Sequence, residues 1–261
     1  MTDRIKSKDN ALVKEIAKLS TSAKMRRESG LYVCEGVRLC CDAVLSGVRI
    51  KYFLYTAEAY EKNKESASAV CQAADRCYEA DKTVFRKMCD TDTPQGFLCV
   101  IQKDSGSILK EVKKGLRYAA LERIQDPSNL GTILRTAEAM GLDGVILSSD
   151  CCDIYSPKVV RGSMGAVFRL PFMTAEDFTG YVGNLGEIGI RTYASTPRNA
   201  KSVNDIDFSE GGVMLIGNEG NGLTDKTIAA CTERVMIPMK GRAESLNASA
   251  AAAILLYQLT K

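Results

Sequence analysis

The run YAALERIQDPSNLGTILRTAEAMGLDGVIL, residues 118–147, decides the fold. It opens with a short apolar strand, Tyr118–Leu121. Asp126-Pro127 marks a turn, and Ser128 or Asn129 stands where it can cap a helix. Apolar residues then recur at helical spacing from Leu130 to Met140. A second apolar strand, Gly144–Leu147, follows. Strand, helix and strand within about 30 residues form one parallel crossover unit.

The alternation continues downstream. Further strands are predicted at Ala166–Leu170, Arg191–Ala194, Val213–Ile216 and Arg234–Ile237. Helices are predicted at Ser156–Arg161, Ala175–Leu185, Thr224–Ala230 and Leu246–Leu259. Strands that alternate with helices predict an α/β domain, with a mainly parallel sheet covered on both faces. Upstream, Leu12, Ile16 and Leu19 predict an N-terminal helix. A second helix is expected over Tyr32–Val44, a strand over Ile50–Tyr55, helices over 57–76 and Lys82–Met88, and a strand over Phe97–Ile101. A small α/β domain therefore spans 1–105, a linker 106–114 and the larger domain 115–261. The size of each suits an independent fold.

Composition narrows the chemistry. The chain holds ten cysteines and no histidine. No Cys-x-x-Cys pair occurs, so a Cys/His zinc site is not expected. Without histidine, catalysis must use carboxylates, Lys, Arg, Tyr, Ser, Asn or main-chain groups. No apolar run is long enough to span a membrane, and the polar segment Met1–Asn10 does not read as a signal peptide, so a cytoplasmic protein is expected. The net charge is +3 and uneven. Residues 1–105 carry 18 Lys+Arg against 15 Asp+Glu, and residues 106–261 carry 17 of each. The excess, including Lys6, Lys8, Arg26 and Arg27, fits either a solvated helix face or phosphate contacts.

Ligands of open α/β sheets bind beyond the carboxyl ends of the strands. Three segments lie there. The first, Glu122–Gly131, runs into a helix that carries Arg135. The second, Ile216-Gly-Asn-Glu-Gly-Asn-Gly-Leu223, is neither a Walker loop nor Gly-x-Gly-x-x-Gly, which argues against a nucleotide-dependent metabolic enzyme. The third, Ile237–Ser249, places Ser245 as a cap of the last helix.

In this order the segments resemble the three signature motifs of the SpoU/TrmH family of RNA ribose methyltransferases. The matches are DPSNLGTILRTA (126–137), IGNEGNGL (216–223) and Ile237-Pro-Met through ESLNASAAAA (244–253). Arg161-Gly-Ser-Met-Gly-Ala166 resembles a stretch between the first two. Tyr32-Val-Cys-Glu-Gly36 and Thr93-Pro-Gln-Gly96 resemble that family's ribosomal-protein-like RNA-binding domain.

The resemblance implies transfer of a methyl group from S-adenosylmethionine to a ribose 2′-OH, in 23S ribosomal RNA or in transfer RNA. It also implies a SPOUT-type trefoil knot, a homodimer and no metal. Asn129, Arg135, Glu219, Ser245 and Asn247 are the implied catalytic residues. Positions 195 (Ser195), Gly217, Asn218, Gly220, Ile237, Met239, Ser245 and Leu246 are the implied cofactor contacts. Lys6, Lys8, Arg26, Arg27 and Arg161 are the expected RNA contacts. Arg135 acts either as the base or, through its positive charge, as a clamp for phosphate and developing alkoxide. The alternative is a non-catalytic RNA-binding or ribosome-assembly protein that keeps the fold.

Overall fold

The computed structural model describes residues 3–103 and 108–261. The start of the expected linker, Gly106 and Ser107, lies outside the described residues. Two compact units emerge. The first holds the described residues up to Lys103 and takes in Tyr155–Phe168. The second holds Ile108–Ile154 and Arg169–Lys261.

The first unit begins with β1 (Asp3–Ile5), α1 (Ala11–Thr21), α2 (Ala23–Ser29), β2 (Leu31–Glu35), α3 (Val37–Leu45) and β3 (Ile50–Tyr55). It continues with α4 (Ala57–Lys62), α5 (Lys64–Ala73), β4 (Ala74–Ala80), α6 (Lys82–Met88) and β5 (Phe97–Gln102). Asn10 caps α1 by accepting from the Leu12 N–H at 2.8 Å. Val13, Ile16 and Leu19 point from α1 into the core, as their spacing requires. The sheet order is β1-β4-β3-β5-β2, with β5 antiparallel to both neighbours.

Two helix expectations change here. Leu31–Glu35 is a strand, because all five residues are buried and pair along β5. Gly36, at φ 108°, then turns the chain into α3. The helix expected over 57–76 breaks at Asn63 and stops at Ala73, where β4 pairs with β3.

The second unit is built on β6 (Arg117–Leu121), α7 (Pro127–Ala139) and β7 (Gly144–Ser148). The chain then forms α8 (Pro157–Gly162) and α9 (Ala166–Arg169). Next come β8 (Phe172–Ala175), α10 (Phe178–Glu187), β9 (Thr192–Ser195) and β10 (Lys201–Ser202). It ends with β11 (Gly212–Ile216), α11 (Asp225–Ala230), β12 (Glu233–Met236) and α12 (Ala248–Thr260). All seven strands are parallel, in the order β10-β12-β9-β11-β6-β7-β8. β7 and β11 are buried along their whole length, as expected of strands covered on both faces.

Ala166–Leu170 is not the expected strand. Ala166–Arg169 is helical, and the edge strand starts only after Pro171. A short buried apolar run does not distinguish the two states by periodicity. α10 starts later than expected, at Phe178, where Asp177 accepts from the Gly180 N–H at 2.9 Å.

Candidate active site

The site grows from the ends of β6, β11 and β12. After β6, Asp126 caps α7 by accepting from the Ser128 and Asn129 N–H groups at 2.5 and 3.2 Å. Pro127 sits in the first turn, where its missing N–H costs nothing. The cap is thus Asp126 rather than Ser128 or Asn129, which leaves the Asn129 amide for other work. After β11, the chain folds back on itself. Asn218 and Gly222 exchange main-chain hydrogen bonds at 3.1 and 2.9 Å. A Cβ on Gly217 would lie 2.1 Å from the Gly222 carbonyl carbon, so only glycine fits there. The Asn218 side chain accepts from Gly220 and Asn221 N–H groups and donates to the Arg123 carbonyl at 2.9 Å, tying this turn to the β6 loop.

One hydrogen-bonded chain joins all three segments. Asn129 Nδ2 donates to Glu219 Oε1 at 3.0 Å. Asn247 Nδ2 donates to Asn129 Oδ1 at 3.0 Å. Asn247 Oδ1 in turn accepts from the Ser249 and Ala250 N–H groups and caps α12. Asn247 therefore holds the position expected of Ser245. Glu219 also accepts from the main-chain N–H groups of Gln125 and Asp126, at 3.4 and 3.2 Å. Partial burial works to raise the Glu219 pKa, but hydrogen bonds from Asn129 and from main-chain N–H groups outweigh it and hold the carboxyl below its ordinary value.

A cavity of about 620 Å³ opens beside this network, within the usual range of small-molecule sites. Its lining includes Ser195 from β9, Gly217, Asn218, Glu219 and Gly220 from the turn after β11, and Ile237, Met239, Ser245 and Leu246 from the segment before α12. All eight positions named as cofactor contacts thus border one space. Leu223, Ile228 and Leu255 supply an apolar wall, and Glu219, Asp225 and Glu244 supply negative charge. Such a lining suits S-adenosylmethionine, which joins a flat apolar base to a cationic sulfonium. Main-chain groups around Gly217, Ile237 and Leu246 would hold it.

Arg135 stands apart. It is exposed on α7, does not border the cavity, and makes no hydrogen bond or ion pair among the described residues. Ser245 is exposed at the cavity edge. Lys6, Lys8 and Arg27 are exposed on the first unit. Arg26 is not available for RNA: it is buried, and its guanidinium donates to the Leu19 carbonyl at 2.6 Å. It holds the end of α1 instead of meeting solvent. Arg161, in the first unit, is half-buried and paired with Asp90 at 2.7 Å.

The sequence reading gave no role to Glu122. It is buried, and its carboxylate accepts from Thr224 N, Thr224 Oγ1 and Thr227 Oγ1 at 2.8–2.9 Å. This bracket fixes the exit of the glycine-rich turn. Its sequence signal was an acidic residue at the carboxyl end of a buried strand. Among the described residues, the metal-ligating side chains that cluster are Cys34, Cys40 and Cys99, all buried in the first unit. Hydrogen bonds from Cys40 and Cys99 draw the Cys34 thiol down to about 5, while burial pushes the other two up.

A parallel sheet with a cavity beyond its strand ends, lined by the glycine-rich turn and Glu219, is the architecture of an α/β enzyme that binds a small molecule. The model of the SpoU rRNA Methylase family matches residues 117–257, and that of the MRM3-like substrate binding domain matches residues 10–99. The chain belongs to the SpoU rRNA methylase family. It is 33% identical to an uncharacterized tRNA/rRNA methyltransferase of Synechocystis, over 97% of this chain and 92% of that protein. It is 30% identical to the 23S rRNA (guanosine(2553)-2′-O)-methyltransferase RlmP of Bacillus subtilis, over 98% of each. An AdoMet-bound rRNA methyltransferase from Sinorhizobium meliloti superposes with a TM-score of 0.86 at 31% identity, covering 99% of this chain and 97% of that one. Among the described residues, no helix is long and apolar enough to cross a membrane.

Proposed function

We infer that this enzyme methylates a ribose 2′-OH of 23S ribosomal RNA with S-adenosylmethionine. The observation that carries this is the cavity at the ends of β9, β11 and β12, bordered by Glu219, which the Asn129 and Asn247 amides tie to α7 and α12. S-adenosylmethionine supplies a methyl group already activated on a sulfonium. The protein must then place a sugar hydroxyl in line with it and keep water away, and such positioning accounts for much of the rate. Glu219, held ionised by its donors, fixes the turn and offers negative charge to the cationic donor. Asn129 and Asn247 lock α7 and α12 to that turn.

Arg135 serves as a clamp. Its guanidinium grips an RNA phosphate and stabilises the 2′-oxygen as the hydroxyl proton passes to solvent. Its exposure suits a group that meets an incoming RNA. Lys6, Lys8 and Arg27 add phosphate contacts on the first unit. The enzyme acts as a homodimer in the cytoplasm. Support for pairing comes from Ala250, Ile254 and Tyr257, an exposed stripe at helical spacing on α12. The knot expected from the family resemblance belongs to the same reading, with the small residues Ala248–Ala253 suited to close threading.

Transfer of labelled methyl groups to purified 23S rRNA and to transfer RNA, compared side by side, tests the assignment. Labelling of 23S rRNA is expected. Labelling of transfer RNA alone would replace the substrate, and labelling of neither would overturn the activity.

A further inference from the structure

We propose that Arg123 is an anion-binding residue of the cavity, gripping an ionised carboxylate or phosphate oxygen. The proposal rests on the reading of this cavity as the S-adenosylmethionine site. Three independent observations carry it.

The first is position. Arg123 lies two residues after the end of β6 and borders the cavity. The second is an unmet donor. Arg123 Nε is buried and has no hydrogen-bond partner. Buried polar groups are nearly always bonded, and the exceptions call for an explanation. Arg198, the other arginine in the lining, differs: its side chain is 80% exposed and faces Asp225 at 3.8 Å. No carboxylate of the described residues pairs with Arg123.

The third is backbone strain. Arg123 has φ 56°, a left-handed conformation that disfavours a long side chain. The chain is pinned there from both sides. The Arg123 N–H donates to Ser148 Oγ at 2.9 Å, and its carbonyl accepts from Asn218 Nδ2 at 2.9 Å. Residues held in this region cluster at ligand sites, where surrounding bonds over-determine them. Glycine would occupy this position without strain, yet the residue is arginine, with its guanidinium stem beside the cavity. A guanidinium is shaped for two parallel bonds to a carboxylate or phosphate.

Two ligands offer that chemistry here: the amino-acid carboxylate of S-adenosylmethionine, and a phosphate of the RNA being methylated. Calorimetric titration with S-adenosylmethionine and with its decarboxylated analogue, plus RNA binding across a salt series, separates them. Wild type, Arg123→Gly and Arg123→Lys are compared. Glycine suits the backbone, so Arg123→Gly should melt no lower than wild type, and its binding is read on a folded chain. If the carboxylate is the ligand, wild type prefers the full cofactor by about 10-fold or more, and Arg123→Gly abolishes that preference. Arg123→Lys, with charge but no fork, falls between. If phosphate is the ligand, cofactor preference is unchanged, RNA affinity drops about 10-fold, and the salt slope falls by roughly one. Either outcome supports the anion site. A wild-type chain that binds no S-adenosylmethionine overturns the cofactor reading beneath it. A chain that binds it, with cofactor preference and RNA salt slope both untouched by Arg123→Gly, overturns the anion site alone.

Discussion

Single side chains tie the site together, and Asn129 is the joint. Its amide donates to Glu219 and accepts from Asn247, so Asn129→Ala strands two partners at once. Leaving such groups unpaired costs about 1–3 kcal/mol, and methyl transfer is expected to slow about 10- to 100-fold in single-turnover assays. A rate like that of wild type would reduce Asn129 to a helix residue. Glu219 predicts a pH effect with a definite sign. Its folded pKa lies below the ordinary 4.5, so its contribution to stability is complete above that value. The contribution is lost as pH falls through the lowered value. Melting temperature followed from pH 7 downward should hold until pH nears 4.5 and then fall, and Glu219→Gln should flatten part of that drop. Asn129, Glu219 and Asn247 are named together only through the family resemblance of their motifs, and hydrogen bonds join the three in the fold. The strain at Arg123 was not legible, since no residue pattern announces a left-handed arginine. The burial of Arg26 was also hidden: a charge count treats every basic residue as exposed, and only the packing of α2 shows which carbonyls claim that guanidinium.

At the scale of elements, the helix ends do chemical work. Asn247 caps α12 with its oxygen and reaches Asn129 with its nitrogen. These two roles can be separated. Asn247→Ser keeps a capping oxygen and loses the donor to Asn129, so it should melt above Asn247→Ala while methyl transfer falls in both. Asn247→Ala loses both, and the missing cap costs about 1 kcal/mol, or a few degrees of melting temperature. Equal melting temperatures for the two variants would contradict the capping role. Most of the second unit's elements are legible from their residues because polar turns with clear caps bracket them. Tyr32–Glu35 reads as helix and Ala166–Arg169 as strand for one shared reason. Leu31–Glu35 and Ala166–Phe168 are short runs buried throughout, and burial of that kind erases the alternation that separates strand from helix. β1 and β10, with three and two residues, are too short for any periodicity to register.

For the whole molecule, the parallel sheet of the second unit follows from strands alternating with helices, and its cavity follows from the rule that ligands bind beyond strand ends. The mixed sheet of the first unit was harder to read. β5 runs antiparallel between β3 and β2, and only long-range pairing sets that arrangement. Assembly gives a prediction at this scale. If the proposed homodimer pairs through the exposed stripe of α12, Ile254→Lys with Tyr257→Glu should shift sedimentation from dimer to monomer. An unchanged sedimentation coefficient would place the contact elsewhere. In the proposed reaction this cavity and the residues around Glu219 direct a methyl group onto a ribose oxygen. Nucleoside mass spectrometry of 23S rRNA treated with the enzyme and S-adenosylmethionine measures that directly. A new 2′-O-methylated nucleoside is expected, and it disappears with Arg135→Ala, although that variant still binds the cofactor. A methyl group found on a base, or a ribose methyl formed equally well by Arg135→Ala, would contradict it.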